Sequence, residues 1–247
     1  MAPVLIVQHS ADDPSGLVGT QLVAAGCSVA VVRCHLGEQQ PRSLAGYAGL
    51  VVLGGDMGAY DDADYPWLTD TKRLLREAVD RDLPTLAICL GHQLLAVAAG
   101  GEVAVAPSPQ LGLVPVDLTT AGEADRLFGG LGPSPSAIHW NRDLVVTPPA
   151  RSVLLSSSTA GVQALRLGSR VYGVQFHPEI DLATVTDWAA ADVAAGRLSP
   201  DLVRTRLAEV EATNLALETR WTAFAERFAD LLPPDAGSGH LAARLRT

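Results

Sequence analysis

Ala87-Ile88-Cys89-Leu90-Gly91-His92-Gln93 sets a cysteine at the junction of two textures. An apolar run from Pro84 to Ile88 ends at it, and Leu94, Leu95, Val97 and Ala98 continue beyond it at helical spacing. Ala87 and Gly91, two positions away on either side, are small. This is the pattern of a strand–nucleophile–helix turn, in which small neighbours permit a sharp bend and the side chain stands above a sheet. The N-terminus of the following helix supplies free N–H groups and a positive dipole end, which favour a thiolate. Leu90 N–H is then placed as an oxyanion donor. Taken alone, the segment reads equally well as a buried structural cysteine.

The same alternation extends upstream. Val4 to Val7, Ser28 to Arg33, Leu50 to Leu53 and Pro84 to Ile88 are short apolar runs. Helical patterns over Gly16 to Ala25 and Pro66 to Val79 separate them; Pro66 suits a first turn, and Leu68, Leu75 and Val79 share one face. Continuously apolar strands divided by amphipathic helices make a parallel sheet covered on both sides, so the fold class is α/β. After Gly100-Gly101 the texture changes. Glu102 to Val105, Leu113 to Leu118, Ser136 to Trp140, Val153 to Ser156, Val162 to Leu167 and Arg170 to Gln175 read as strands of a mixed or antiparallel part. Beyond Ile180 the pattern is helical, with Leu207, Val210, Leu217, Trp221, Phe224, Phe228 and Leu231 on one stripe, followed by a loosening tail over Pro233 to Gly239. The stripe suits packing on its own domain or a partner surface. We therefore expect a catalytic-type domain over residues 1–182 and a helical extension over 183–247, packed on or beside it.

A chain of 247 residues buries a substantial core. Its net charge of -9 argues against a non-specific nucleic-acid binder, because a polyanion is repelled by most of such a surface. Cys27, Cys34 and Cys89 cannot all pair within one chain and none lies in a CxxC, which fits a reducing compartment and gives no zinc signature. MAPVLIVQHS has no basic leader, and Pro84, His92 and Gln93 interrupt the long apolar stretch from Leu83 to Gly101. The expectation is a cytoplasmic protein acting on a small metabolite, with no membrane, metal or cofactor.

A nucleophilic cysteine needs a base held by a third group. Val174-Gln175-Phe176-His177-Pro178-Glu179 offers both. In an extended segment His177 and Glu179 project to one side, so the carboxylate can hold one ring nitrogen while the other faces sulfur. Pro178 keeps His177 extended. A solvated histidine beside a surface glutamate is the alternative for this segment by itself.

Together, the CxGHQ elbow and the late FHPE, in that order, resemble the class-I (triad) glutamine amidotransferase family, with Tyr60 to Leu68 similar to its stand-alone, GMP-synthase-like members. The resemblance spans about Val4 to Ile180. It implies a flavodoxin-like open, mostly parallel sheet with helices on both faces and a small antiparallel segment. It also implies that Cys89 attacks the glutamine side-chain amide, that His177 acts as base and that Glu179 orients it. Gly54-Gly55-Asp56-Met57-Gly58 falls where the family has its glycine-rich oxyanion loop, so Gly55 N–H would join Leu90 N–H, with Gly54 beside the substrate. Gln93 is a candidate for contacting bound glutamine or for bonding inside the elbow, whereas His92 reads as structural.

Two departures stand out. Ala87 replaces the usual glycine, a minor change. At His139-Trp140-Asn141-Arg142-Asp143, where the family has a His-Gly-Asp-like substrate segment, only Asp143 matches cleanly. Arg142 suits a carboxylate ligand or a surface position. The substrate is therefore glutamine or another γ-glutamyl compound. No P-loop or dinucleotide fingerprint supplies a synthetase, so the ammonia acceptor would be a separate subunit unless the chain hydrolyses its substrate outright. Two other functions compete with this one: a γ-glutamyl peptide or amine hydrolase, and a non-catalytic regulatory or binding role. A homodimer is left open.

Overall fold

The computed structural model describes residues 2–233; the tail expected over Pro233 to Gly239 lies, after its first residue, outside them. Five strands run parallel in the order β2 (Val29–Arg33), β1 (Val4–Gln8), β3 (Gly49–Val52), β4 (Thr85–Ile88) and β9 (Val171–Val174). This is the doubly wound arrangement, with the order in which strands are added reversing between β1 and β3. β3, β4 and β9 are buried throughout, which is why their sequences are unbroken apolar runs rather than alternating ones.

Beside β9 the sheet continues antiparallel through β8 (Gly161–Leu167), β6 (Ser136–Thr147) and β5 (Glu102–Pro115), with β7 (Ser152–Ser158) also pairing with β8. Here the structure revises two boundaries. The runs expected at Glu102 to Val105 and Leu113 to Leu118 belong largely to one long strand, whose register with β6 shifts between Val105 and Gln110. Pro107 and Pro109 lie in that gap and have no N–H to give a ladder. β6 likewise runs on past Trp140, so Asn141, Arg142 and Asp143 lie within the strand, beyond its expected end.

Helices cover both faces. α2 (Trp67–Arg81) and α3 (Leu90–Ala98) pack with one core, while α1 (Gly16–Ala24), α5 (Leu182–Ala194) and α6 (Pro200–Ala229) pack with the other, and the short α4 (Thr120–Glu123) lies beside β7. α6 starts at Ser199, whose hydroxyl accepts from Leu202 N–H, with Pro200 in the first turn. Its stripe of Val210, Leu217, Trp221, Phe224 and Phe228 is buried. Phe224 meets Phe128 edge-on at 5.3 Å and Trp221 lies 5.5 Å from it, while Trp221 packs 4.9 Å from Phe176. The extension thus rests on the residue next to His177. Among the described residues no helix is long and apolar enough to cross a membrane.

Phe224 is fully buried within this aromatic cluster, so Phe224→Ala should destabilise the fold by about 3–5 kcal/mol. Urea unfolding followed by tryptophan fluorescence measures it, because Trp221 lies in the same cluster.

Candidate active site

Four parallel strands end side by side at their carboxyl edge, where open α/β sheets place ligands. β1 leads into His9 to Asp13, β3 into Gly54 and Gly55, β4 into Cys89, and β9 into Gln175 to Glu179. Cys89 adopts φ 51° and ψ -107°. That conformation costs a residue with a side chain on the order of 1–3 kcal/mol. Neighbouring contacts impose it. Cys89 N–H donates to Val174 O at 2.8 Å, and α3 packs so tightly on β3 that a Cβ at Gly91 would sit 2.4 Å from Val52 O. At the other flank Ala87 is fully buried in β4, and its methyl is accommodated.

His177 lies beside the sulfur. Its Nδ1 is 2.8 Å from Glu179 Oε1, and the imidazole and Cys89 line the same small pocket. Burial opposes its charge, but Glu179 and the sulfur outweigh burial and hold its pKa well above 6.5. His177 N–H donates to Ile138 O at 2.9 Å, and Glu179 O accepts from Leu17 N–H at 2.9 Å. A Cβ at Gly16, which has φ 42°, would come within 2.0 Å of that Glu179 oxygen. Trp188 of α5 packs against the imidazole at 4.8 Å.

The segment is not strand. The ladder of β9 stops at Val174, and Gln175 to Glu179 bend away, with a single bridge from His177 to Ile138. Side-chain alternation along an extended chain is therefore not what joins His177 to Glu179; two backbone anchors on either side of Pro178 are.

Gly54 and Gly55 lie at the crowded floor. A Cβ on Gly54 would fall 2.6 Å from Asp13 Oδ1 and 3.3 Å from His177 Cε1; one on Gly55 would meet His9 and Leu90 side chains at 3.0 Å and 3.1 Å. The fold thus brings Gly55 to Leu90, the first residue of α3. A cleft of about 560 Å³ opens here, with Gly55, Cys89, Gln93, Asn141, Arg142 and Asp143 among its walls. Gln93 lines it while donating to Asp143 O at 2.9 Å and to Gln175 Oε1 at 3.3 Å, so its amide ties α3 to β6. Asp143 is half-buried, and burial raises its carboxyl pKa. Arg142 is exposed at the rim. His92 is fully buried away from the cleft against Gly173, and burial lowers its pKa to about 4.

The family model for glutamine amidotransferase class-I matches residues 15–188, which contain the elbow, the glycine loop and the His177–Glu179 pair. The chain belongs to the class-I glutamine amidotransferase family. Among its relatives is a glutamine-hydrolysing GMP synthase component of Sulfurisphaera tokodaii, 44% identical over 99 residues, which are 39% of this chain and 51% of that one. The match therefore spans about half the length of that relative. A glutamine amidotransferase-like protein of Salmonella typhimurium, YfeJ, is 28% identical over 185 residues, 74% of this chain and 77% of that protein. A solved glutamine amidotransferase from Methylobacillus flagellatus superposes with a TM-score of 0.82 at 26% identity, covering 97% of this chain and 98% of that one.

This amidotransferase carries neighbours of Cys89 and His177 that the motifs did not single out. Gln175 Nε2 donates to Cys89 Sγ at 3.6 Å. Trp140 Nε1 donates to Asp192 Oδ2 at 2.8 Å, Asp192 is ion-paired with Arg197, and all three line the space beside Cys89. Gln175 could have been found from its place just before Phe176-His177, and Asp13 from its place after the first strand of a doubly wound sheet. No local signal marks Asp192 or Arg197.

Asp13 is 7% exposed, and burial, only partly relieved by His177, raises its pKa to about 7. Its folded pKa exceeds the unfolded 3.8, so the folded state holds the proton more tightly and loses stability as pH rises from about 4 to 7. Asp13→Asn abolishes that loss. Its melting temperature should gain on the wild type across that range by several degrees and then level off, as thermal unfolding at a series of pH values would record.

Proposed function

We propose that the protein hydrolyses the side-chain amide of glutamine through a thioester on Cys89, yielding glutamate and ammonia. The observation that carries this reading is His177 set between Glu179, at 2.8 Å, and the sulfur of a cysteine on a strained elbow. Cys89 sulfur, its proton taken by His177, attacks the amide carbonyl carbon. The oxyanion that develops is received by the N–H groups of Gly55 and Leu90. His177 then delivers its proton to the departing nitrogen. Water, deprotonated by the same imidazole, adds to the thioester carbon; glutamate leaves and sulfur regains the proton. Glu179 holds the ring and favours its charged form. Gln93 and Asp143 shape the substrate side of the cleft, with Gly54 buried beneath it against Asp13 and His177.

The 1–182 segment carries this chemistry in our reading, and 183–247 completes the roof of the site through Trp188, Asp192 and Arg197. Relatives named as one component of a GMP synthase suggest that a separate synthetase polypeptide takes up the ammonia. The altered Trp140-Asn141-Arg142-Asp143 segment supports a second reading, hydrolysis of a γ-glutamyl amide other than glutamine by the same steps. A non-catalytic role leaves the strain at Cys89 and the buried His177–Glu179 pair without a purpose.

Purified protein should release glutamate from glutamine, and Cys89→Ala should release none. Glu179→Gln should retain activity reduced about 10²-fold, since the base survives but loses its orientation and charge partner. Equal rates for wild type and Cys89→Ala in a glutamate-release assay would sink the proposal.

A further inference from the structure

Cys89 stands between two unequal spaces. The larger cleft does not include His177 in its walls; an adjoining smaller pocket of about 130 Å³, which shares Cys89, Trp140, Asp192 and Arg197 with it, includes both Cys89 and His177. The chemistry distinguishes them. An imidazole that protonates the departing nitrogen needs that nitrogen beside it, so the leaving group occupies the smaller pocket and the glutamyl part the larger cleft.

The smaller pocket has an unusual lining for a space that would receive only ammonia. Asp12, Asp13, Asp56 and Asp192 contribute carboxylates, and Trp140 and Trp188 contribute indole rings. Of the cations, Arg197 is ion-paired with Asp192, and His177 is held by Glu179 and only partly offsets the burial of Asp13. Asp13 decides the matter: it is 93% removed from solvent, lines the pocket, and accepts no hydrogen bond among the described residues. A buried carboxylate without a hydrogen-bond partner is expensive unless a cation or donor meets it, and indole rings in the lining are compatible with the same visitor.

We infer that this pocket is a leaving-group subsite selecting γ-glutamyl amides of short amines that carry a second, positively charged nitrogen, such as a diamine. The inference rests on the thioester reading given above. Cys89 sulfur bonds to the amide carbonyl carbon as the C–N bond breaks, and the nitrogen departs with a proton from His177 while its distal ammonium faces Asp13. Water then adds its oxygen to the thioester carbon and returns a proton to sulfur, so amide and water become glutamate and free diamine. Asp13, held partly protonated near neutrality by burial, becomes fully charged once the ammonium arrives. Glutamine enters the same pocket without filling it.

The test compares kcat/KM of the full-length protein for the mono-γ-glutamyl amide of diaminobutane and for its uncharged isostere, γ-glutamylpentylamine, with glutamine alongside. The charged substrate should lead by about tenfold or more, the scale of a hydrogen bond to a charged group. That ratio should fall toward one in Asp13→Asn and decline in Asp56→Asn, a substitution at an exposed position of the rim that spares the core. A ratio of one or less in the wild type, with glutamine still cleaved, overturns the subsite and leaves the thioester reading standing. An unchanged ratio in both variants also overturns it. Failure to cleave any of the three amides removes the thioester reading and the subsite together.

Discussion

A single residue held in an unfavourable backbone conformation organises this molecule. Cys89 sits at φ 51° because a buried strand ends on one side of it and a buried helix begins on the other, with no spare residue to make the turn gradual. The strain is sustained by its surroundings. Thr85 to Ile88 are locked between β3 and β9, and α3 lies so close to β3 that Gly91 tolerates no side chain. Relaxing the cysteine would require parting a helix from the sheet it covers, which costs far more than the ~1–3 kcal/mol stored in the turn.

The same logic explains why the imidazole arrives where it does. β9 is the last parallel strand and pairs directly with β4, so the chain that leaves β9 emerges beside the chain that leaves β4. Cys89 and His177 are neighbours because two strands are neighbours. Fine positioning then comes from both flanks: Ile138 of the antiparallel part fixes His177, and Leu17 at the start of α1 fixes Glu179. Aromatic packing of Phe176 against Trp221 and Phe128 ties that segment to α6. The helical extension is thereby coupled to the geometry around the imidazole although it contributes neither Cys89 nor His177.

Charge around the site is distributed unevenly, and the second half of the chain makes it so. The rim of the larger cleft includes Arg142 and Asp143, set in β6 opposite a stretch of β5 disturbed by two prolines. The smaller pocket is dominated by carboxylates from the loop after β1, the glycine loop and α5, roofed by two indoles. A net charge of -9 is thus not spread evenly over the surface; part of it is concentrated near a buried imidazole whose pKa its surroundings raise.

Local sequence settled whatever depends on neighbours in the chain. The apolar run, the small residues flanking Cys89 and the helical spacing after it specify a strand, a tight turn and a helix, because those preferences act over a few residues. Unbroken apolar strands separated by amphipathic helices specified the α/β class for the same reason. His177-Pro178-Glu179 was legible as a histidine paired with a carboxylate, yet for a reason the structure changes: backbone anchors at Ile138 and Leu17, not strand alternation, align the two side chains. The long strand through Pro107 and Pro109 was misread because prolines punctuate a sequence even where a bulge lets the strand continue. What only the tertiary structure decided is the company these residues keep. Asp13, Gln175, Trp188, Asp192 and Arg197 gather around Cys89 and His177 from separate elements, and no short-range pattern encodes a meeting that depends on which strands pair and which helix crosses them.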